Sequence, residues 1–221
     1  VGPPSASKMA APAARAAVAS EVEAAYAAYA TTGGEGAANY ARAQAWGYDA
    51  LVALAGLKGA PAALFVAACG GGCPLALDSS CFETLRDRLR GATVVDLGCG
   101  GGHDVVLASR LVGRAGRVYG VDLTAAMVDA TRRQLETFAR ETQSNVTLAV
   151  AAIDDPNGLL TDVGIPTAGA DLCVSNGVFN LCLDKRAAFA TAFRVLKPGG
   201  RLQLCDVCEV PPSAEAASKV S

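Results

Sequence analysis

The chain has 221 residues, a formal net charge of −2 and a hydrophobic share of 52%. That length suits one domain with a sizeable core, and the charge argues against a polyphosphate partner, because nucleic-acid binders carry a basic excess on one face. Much of the hydrophobic share is alanine, and no stretch reaches the roughly 20 uninterrupted apolar residues of a membrane helix, so a soluble protein with no nucleic-acid and no membrane partner is expected.

The first ninety residues read as helical and irregular, from their alanine content and the helical spacing of apolar positions. One helix is expected over Ala13 to Tyr29, before the Gly33-Gly34 breaker, a second over Ala37 to Ala45 and a third over Ala50 to Leu54. Gly70-Gly71-Gly72 marks a loop before Pro74. A short helix over Cys81 to Leu89 leads into a different pattern.

From Ala92 strands and helices alternate. Thr93 to Leu97 is a short, mostly apolar run, as expected for a strand buried on both faces. A glycine turn and a helix over Asp104 to Val112 follow, then a second strand over Arg117 to Val121. Thr124 is expected to cap a helix that buries Met127, Leu135 and Phe138. Val146 to Val150 and Asp171 to Ser175 read as the third and fourth strands. Asp184 caps a helix with Phe189, Ala192, Phe193 and Leu196 on one stripe, which Pro198-Gly199-Gly200 ends before a fifth strand over Arg201 to Val207. The succession implies an α/β fold: a Rossmann-like, doubly wound, mostly parallel sheet with helices on both faces and N-terminal helices ahead of it.

The eight cysteines are Cys69, Cys73, Cys81, Cys99, Cys173, Cys182, Cys205 and Cys208. An even count permits disulfides in an exported chain, but the N-terminus lacks a basic region followed by a compact apolar run and cleavage site. Cys99 and Cys173 also fall in a turn and a strand of the core pattern, so a reducing, cytoplasmic setting is the expectation. Arg15 in the Ala-rich start suits a transit peptide poorly, since Glu21 and Glu23 follow, and Met9 is one candidate for the natural start.

The sharpest segment is Asp96-Leu97-Gly98-Cys99-Gly100-Gly101-Gly102-His103-Asp104. A strand here delivers a glycine turn that lets a ligand approach backbone where a helix begins. A lone Gly-x-Gly is weak evidence, since nicotinamide dehydrogenases use a similar turn. Asp96, two residues before the first glycine, would repel a pyrophosphate but not the ammonium of a methionine moiety. The turn therefore favours S-adenosylmethionine over a dinucleotide. Asp122, at the end of the second strand, suits acceptance of both ribose hydroxyls, its plainer role being to favour the next helix dipole. Leu123 follows it, and Met127 reads equally well as an adenine contact or as core.

These segments, with Ser175-Asn176-Gly177-Val178-Phe179-Asn180-Leu181, Asp184-Lys185-Arg186 and Arg194-Val195-Leu196-Lys197-Pro198-Gly199-Gly200, resemble the arsenite methyltransferase family. Gly47-Tyr48-Asp49 and Cys69-Gly70 with Pro74 are similar to that family's entry segment, so the likeness runs from about Tyr40 to Val207. The glycine loop and the Leu-Lys-Pro-Gly-Gly run are shared by many class I methyltransferases, whereas the Ser-Asn-x-Val-x-Asn-Leu run is more specific. The resemblance implies that Asp96, Gly98, Cys99, Gly100 and Asp104 lie at the methionine end of the cofactor, Asp104 facing its amino group, with Asp122, Leu123 and Met127 further along. Ile153 and Asp154 would face the adenine and Asn176 the methionyl end through its backbone. His103, where the family carries an arginine, reads as a loop residue rather than a base. The implied organisation is a helical segment and cofactor lid over 1–90, a cofactor domain over 91–208 and a tail over 209–221.

In that family, cysteine thiolates hold trivalent arsenic, whose lone pair attacks the sulfonium methyl, and soft thiolates suit such a centre. Gly177 stands where the family's run has cysteine, and the later family cysteine would lie beyond Val207. Cys69 or Cys73, joined by Cys182 or Cys208, are the candidate metalloid thiols. A zinc site from Cys205 and Cys208 with Cys69 and Cys73 is a rival reading, and unconnected structural thiols another. A methyltransferase acting by in-line displacement on trivalent arsenic or another soft acceptor is expected. A methyltransferase of unrelated small-molecule substrate, or an inactive cofactor-binding interaction protein, stands as the alternative. Only Glu209 to Ser221 follow the fifth strand, so the sheet is expected to be incomplete and its last strand open. The N-terminal helices covering it, a homodimer through the edge, or a chain that is a fragment are the expected remedies.

Overall fold

The computed structural model describes residues 12–32, 36–57, 61–68, 70–76, 82–155 and 164–208. Among the described residues, the helices α1 (Pro12–Thr32), α2 (Gly36–Ala45), α3 (Tyr48–Leu54) and α4 (Pro61–Leu64) come first. A 3-10 turn at Pro74–Ala76 and α5 (Phe82–Leu89) lead into the sheet. The alternating part is β1 (Thr93–Leu97), α6 (His103–Val112), β2 (Arg117–Asp122), α7 (Ala125–Phe138), β3 (Val146–Val150), β4 (Ala170–Asn176), α8 (Lys185–Val195) and β5 (Leu196–Cys205).

The five strands pair in the order β3-β2-β1-β4-β5, all parallel, as the strand–helix alternation predicts. Side chains alternate across a strand, and β1 shows what that does when both faces are covered. Val94 belongs to the core shared with α6 and the N-terminal helices, whereas Val95 and Leu97 belong to the core under α8. Asp96 has the parity of Val94, so the same alternation turns it towards α6. The order reverses between β1 and β4, and the crevice outside strand ends at such a switch point is where open α/β sheets bind ligands.

Three expectations need correction. Thr124 occupies the N-cap of α7 without a side-chain cap bond; its N–H instead donates to the Asp122 carboxylate at 2.9 Å, so the preceding acid serves this helix start. Asp184 does cap α8, accepting from the Ala187 N–H at 3.0 Å. The buried stripe of α8, however, is Ala188, Thr191, Ala192 and Val195, which is the i, i+3, i+4, i+7 row. Phe189 and Phe193 lie one step round the helix and are 47% and 82% exposed. Finally, Lys197-Pro198-Gly199-Gly200 does not separate helix from strand. β5 advances from Leu196 to Arg201 while β4 advances from Ala170 to Leu172, so the run is a bulge inside the strand, with Lys197 paired to Asp171. Among the described residues β5 has no partner beyond β4 and ends the sheet, as expected.

Candidate active site

The glycine turn leaves β1 at the switch point. Gly98, Gly100 and Gly102 have φ of 85°, 51° and 88°, the left-handed region that glycine enters without cost. Space as well as φ demands it: a Cβ on Gly102 would sit 2.7 Å from Thr131 and one on Gly101 2.5 Å from Ala67. The turn is tied to the neighbouring elements. Gly98 and Cys99 N–H groups donate to the Val121 carbonyl at 2.7 and 2.8 Å, and the Thr131 hydroxyl donates to the Gly100 carbonyl at 2.7 Å.

Three carboxylates surround this turn. Asp122, at the end of β2, accepts the Gly100 N–H at 2.8 Å and the Thr124 N–H at 2.9 Å, so the acid holds the turn and the start of α7 together. Burial raises its pKa, and those N–H bonds draw it back. Asp96 lies beneath, 2% exposed, its pKa pushed well up first by burial and then by the charges of Asp104 and Asp122. Asp104, in the first turn of α6, accepts the Tyr48 hydroxyl on both oxygens at 2.8 and 2.9 Å and the Asn176 amide at 3.3 Å. His103 is the first residue of α6 and is buried; Nε2 lies 3.2 Å from the Tyr48 hydroxyl and 3.3 Å from Asp104, while Nδ1 has no hydrogen-bond partner among the described residues.

Above the turn lies an open cleft. Of the cofactor residues expected from sequence, Gly98, Gly100, Asp122, Leu123, Ile153, Asp154 and Asn176 line it. Asp96, Cys99, Asp104 and Met127 do not; they are buried below it, and the Cys99 thiol is pushed well up by burial. The rest of the wall includes Val22 and Tyr26 of α1, Gly177, Val178 and the Leu181-Cys182-Leu183 loop. Val22 and Tyr26 stand four apart on one helix face, the only local signal that marks them. Asp154 pins the loop opposite, accepting the Leu183 and Asp184 N–H groups at 2.9 and 3.2 Å.

The thiols separate into distinct places. Cys69 and Cys81 lie outside the described residues. Cys182 lines the cleft, its sulfur near the Val178 carbonyl at 3.6 Å, and burial pushes its thiol up to about 12. Cys208 is exposed and Cys173 is buried in β4. Cys73 is buried, and its thiol feels the charge of Cys205. Among the described residues no group of three or more His, Cys, Asp or Glu could hold a metal ion, so the zinc reading gains no support there.

A parallel sheet of this order, a glycine turn after its central strand and an acid closing the next strand define a Rossmann-like domain of the class I methyltransferase type. The methyltransferase domain family model matches residues 89–221, and the chain belongs to that family. It is 36% identical to the arsenite methyltransferase of Mus musculus over 137 residues, which is 59% of this chain and 35% of that protein. It is 38% identical to the arsenite methyltransferase of Aquipseudomonas alcaligenes over 120 residues, 54% of this chain and 34% of that protein. The chain thus spans about a third of the length of these curated relatives. The crystal structure of an arsenic(III) S-adenosylmethionine methyltransferase from Chlamydomonas reinhardtii aligns with a TM-score of 0.58 at 29% identity, covering 77% of this chain and 54% of that one. The likeness read from the motifs is borne out.

Proposed function

We propose that this chain binds S-adenosylmethionine in the cleft above the glycine turn and directs its methyl group to a soft nucleophile, trivalent arsenic being the acceptor class. The observation that carries the cofactor reading is the convergence of Asp96, Asp104 and Asp122 on one glycine turn. Such a set fits a cationic cofactor, whereas the pyrophosphate of a dinucleotide would be repelled. The similarity to arsenite methyltransferases supports the acceptor class.

In this reading Asp122 accepts the ribose hydroxyls while its backbone bonds hold its rotamer. Gly98 and Gly100 let the methionine part lie against backbone, and Leu123 and Ile153 offer apolar surface to the adenine. Asp96 and Asp104 act from below the turn on the ammonium, Asp104 being oriented by Tyr48 and Asn176. When bound, the cofactor supplies an electrophilic methyl group, whose in-line displacement depends chiefly on how the acceptor is positioned. Helix α1, through Val22 and Tyr26, serves as the lid of a helical segment over 1–90, and residues 91–208 form the cofactor domain. We place the protein in the cytoplasm, a setting that suits its free cysteines; among the described residues, no helix is long and apolar enough to cross a membrane.

Calorimetric titration of S-adenosylmethionine into the reduced protein and into Asp122→Ala tests the cofactor reading. Hydrogen bonds to a charged group are worth about 1.5–3 kcal/mol, so the variant should bind at least about tenfold more weakly. Equal affinity in a folded variant removes Asp122 from the site, and no binding by the wild type rejects the proposal itself.

A further inference from the structure

The Gly70-Gly71-Gly72 loop is folded across the ends of β4 and β5. Asn176, the last residue of β4, holds it there: its side-chain oxygen accepts the Gly71 N–H at 2.8 Å, and its amide donates to the Gly72 carbonyl at 2.8 Å and to the Tyr48 hydroxyl at 3.0 Å. Gly72 then passes so close to β5 that a Cβ on it would lie 2.6 Å from the sulfur of Cys205. The next residue is Cys73, whose backbone amide lies near enough to that sulfur to draw the Cys205 thiol back down against burial. Cys205 is the register partner of Asn176, so the two side chains leave one face of the sheet side by side. Two free thiols from residues 132 positions apart are thereby brought into the same neighbourhood, each within reach of the Asp104 charge, one buried and one half-buried.

The Gly177 N–H donates to the Cys205 carbonyl at 2.8 Å, so position 177, which lines the cleft, sits next to Cys205 on the neighbouring strand. A thiol absent from the end of β4 is thus present at the end of β5, within one strand spacing of about 4.8 Å. Cys182 and Cys208 do not share this spot. The first is influenced by Asp154, Lys185 and Asp206 rather than by Cys73, and the second lies against the Asp206 carbonyl at 3.9 Å.

We propose that Cys73 and Cys205 together form the dithiol that holds a trivalent metalloid in this chain, with Asn176 positioning the loop that brings them together. The assignment rests on the soft-acceptor reading above and names the residues that would carry it. The binding step is an exchange without redox change. Each thiol gives its proton to one hydroxide of a trivalent arsenical, two arsenic–oxygen bonds break, two arsenic–sulfur bonds form, and two waters leave. Burial and the Asp104 charge raise both thiols, so they are neutral before exchange and the departing hydroxides take the protons. Arsenic keeps its lone pair.

The test uses phenylarsine oxide, which takes two thiols, titrated into the reduced full chain. One equivalent should bind, two titratable thiols should be lost, and alkylation mapped by mass spectrometry should find Cys73 and Cys205 protected. Cys205→Ser should weaken binding about a hundredfold, because the second thiol acts as an intramolecular ligand of high effective concentration. S-adenosylmethionine affinity of that variant should stay at the wild-type value, which also reports that it is folded. Protection of Cys69 or Cys182 in place of Cys205, or undiminished binding by Cys205→Ser, overturns the assignment. If the wild type binds the cofactor but no arsenical, the dithiol proposal fails while the cofactor reading stands; if it binds the arsenical but no cofactor, the reverse holds.

Discussion

The two sides of the switch point are built in different ways. On the β1–β2 side the cleft is made by one stretch of chain: the turn from Gly98 to Gly102, the start of α6 and Asp122 lie within twenty-five residues and bind one another through backbone groups. On the β4–β5 side the strand ends are covered by distant pieces. Asn176, the loop around Gly72 and Cys205 meet only because β4 and β5 pair in one register and the loop is folded over their ends. The first side gathers carboxylates around its turn and the second brings in thiols. In the proposed reading, the cofactor site stays a recognisable motif because it needs its backbone, whereas an acceptor ligand can be supplied by whichever strand ends nearby.

The comparison is broken most severely on its first side. Gly102→Ala forces a φ near 88° on an L-residue and sets a Cβ against Thr131. Backbone strain and overpacking each cost about 1–3 kcal/mol, so chemical denaturation should show a loss of about 2–6 kcal/mol together with loss of cofactor binding. A neutral outcome would mean that the turn is not rigid and that its contiguity is incidental.

On the second side Asn176→Ala removes the clamp and its one long bond to Asp104 at 3.3 Å, while leaving the glycine turn's own backbone bonds in place. Several hydrogen bonds go at once, and leaving a partner unpaired costs about 1–3 kcal/mol. The loss should appear locally, as faster amide exchange at Gly71 and Cys73, while the amides of β1 and β2 keep their protection. Equal acceleration in both places would show that the two sides are one cooperative unit.

A smaller and graded effect comes from Asp96. Its pKa is raised well above 3.8 in the folded chain, chiefly by burial, while the unfolded chain titrates near that value. Between the two, the native state holds a proton that the unfolded state has released, so this residue makes stability fall as pH rises, by at most about 1.4 kcal/mol per unit. Asp96→Asn abolishes that slope, and the stability gap in favour of the variant should widen with rising pH above 3.8. Parallel stability curves for the two proteins would sink this assignment. A cation seated on the turn favours the ionised acid, so S-adenosylmethionine should bind more tightly at higher pH and release protons as it does.

Much of the fold was legible because the relevant forces are local. The β1 and β3 ranges match the strand runs of the sequence, and the other elements of the alternating part match within a few residues, apart from the bulged start of β5. The α8 stripe was misread because Phe189 and Phe193 carry the larger hydrophobic side chains, yet packing on the sheet selects the row that faces it, here Ala188, Thr191, Ala192 and Val195. The Lys197 to Gly200 run looked like a terminator because proline and glycine end helices, and the sheet absorbed it as a bulge.

By itself the sequence determined the parallel sheet, the glycine turn and the place of Asp122, because strand periodicity, glycine backbone freedom and the spacing of a βαβ unit act over a few neighbouring residues. Tertiary structure alone decided which thiols lie near one another, that α1 reaches the cleft through Val22 and Tyr26, and that Asp96 and Asp104 lie beneath the turn rather than in the cleft wall. Those contacts join residues far apart in the chain, and their geometry is set by strand register and loop closure, which leave no periodic trace in the order of amino acids.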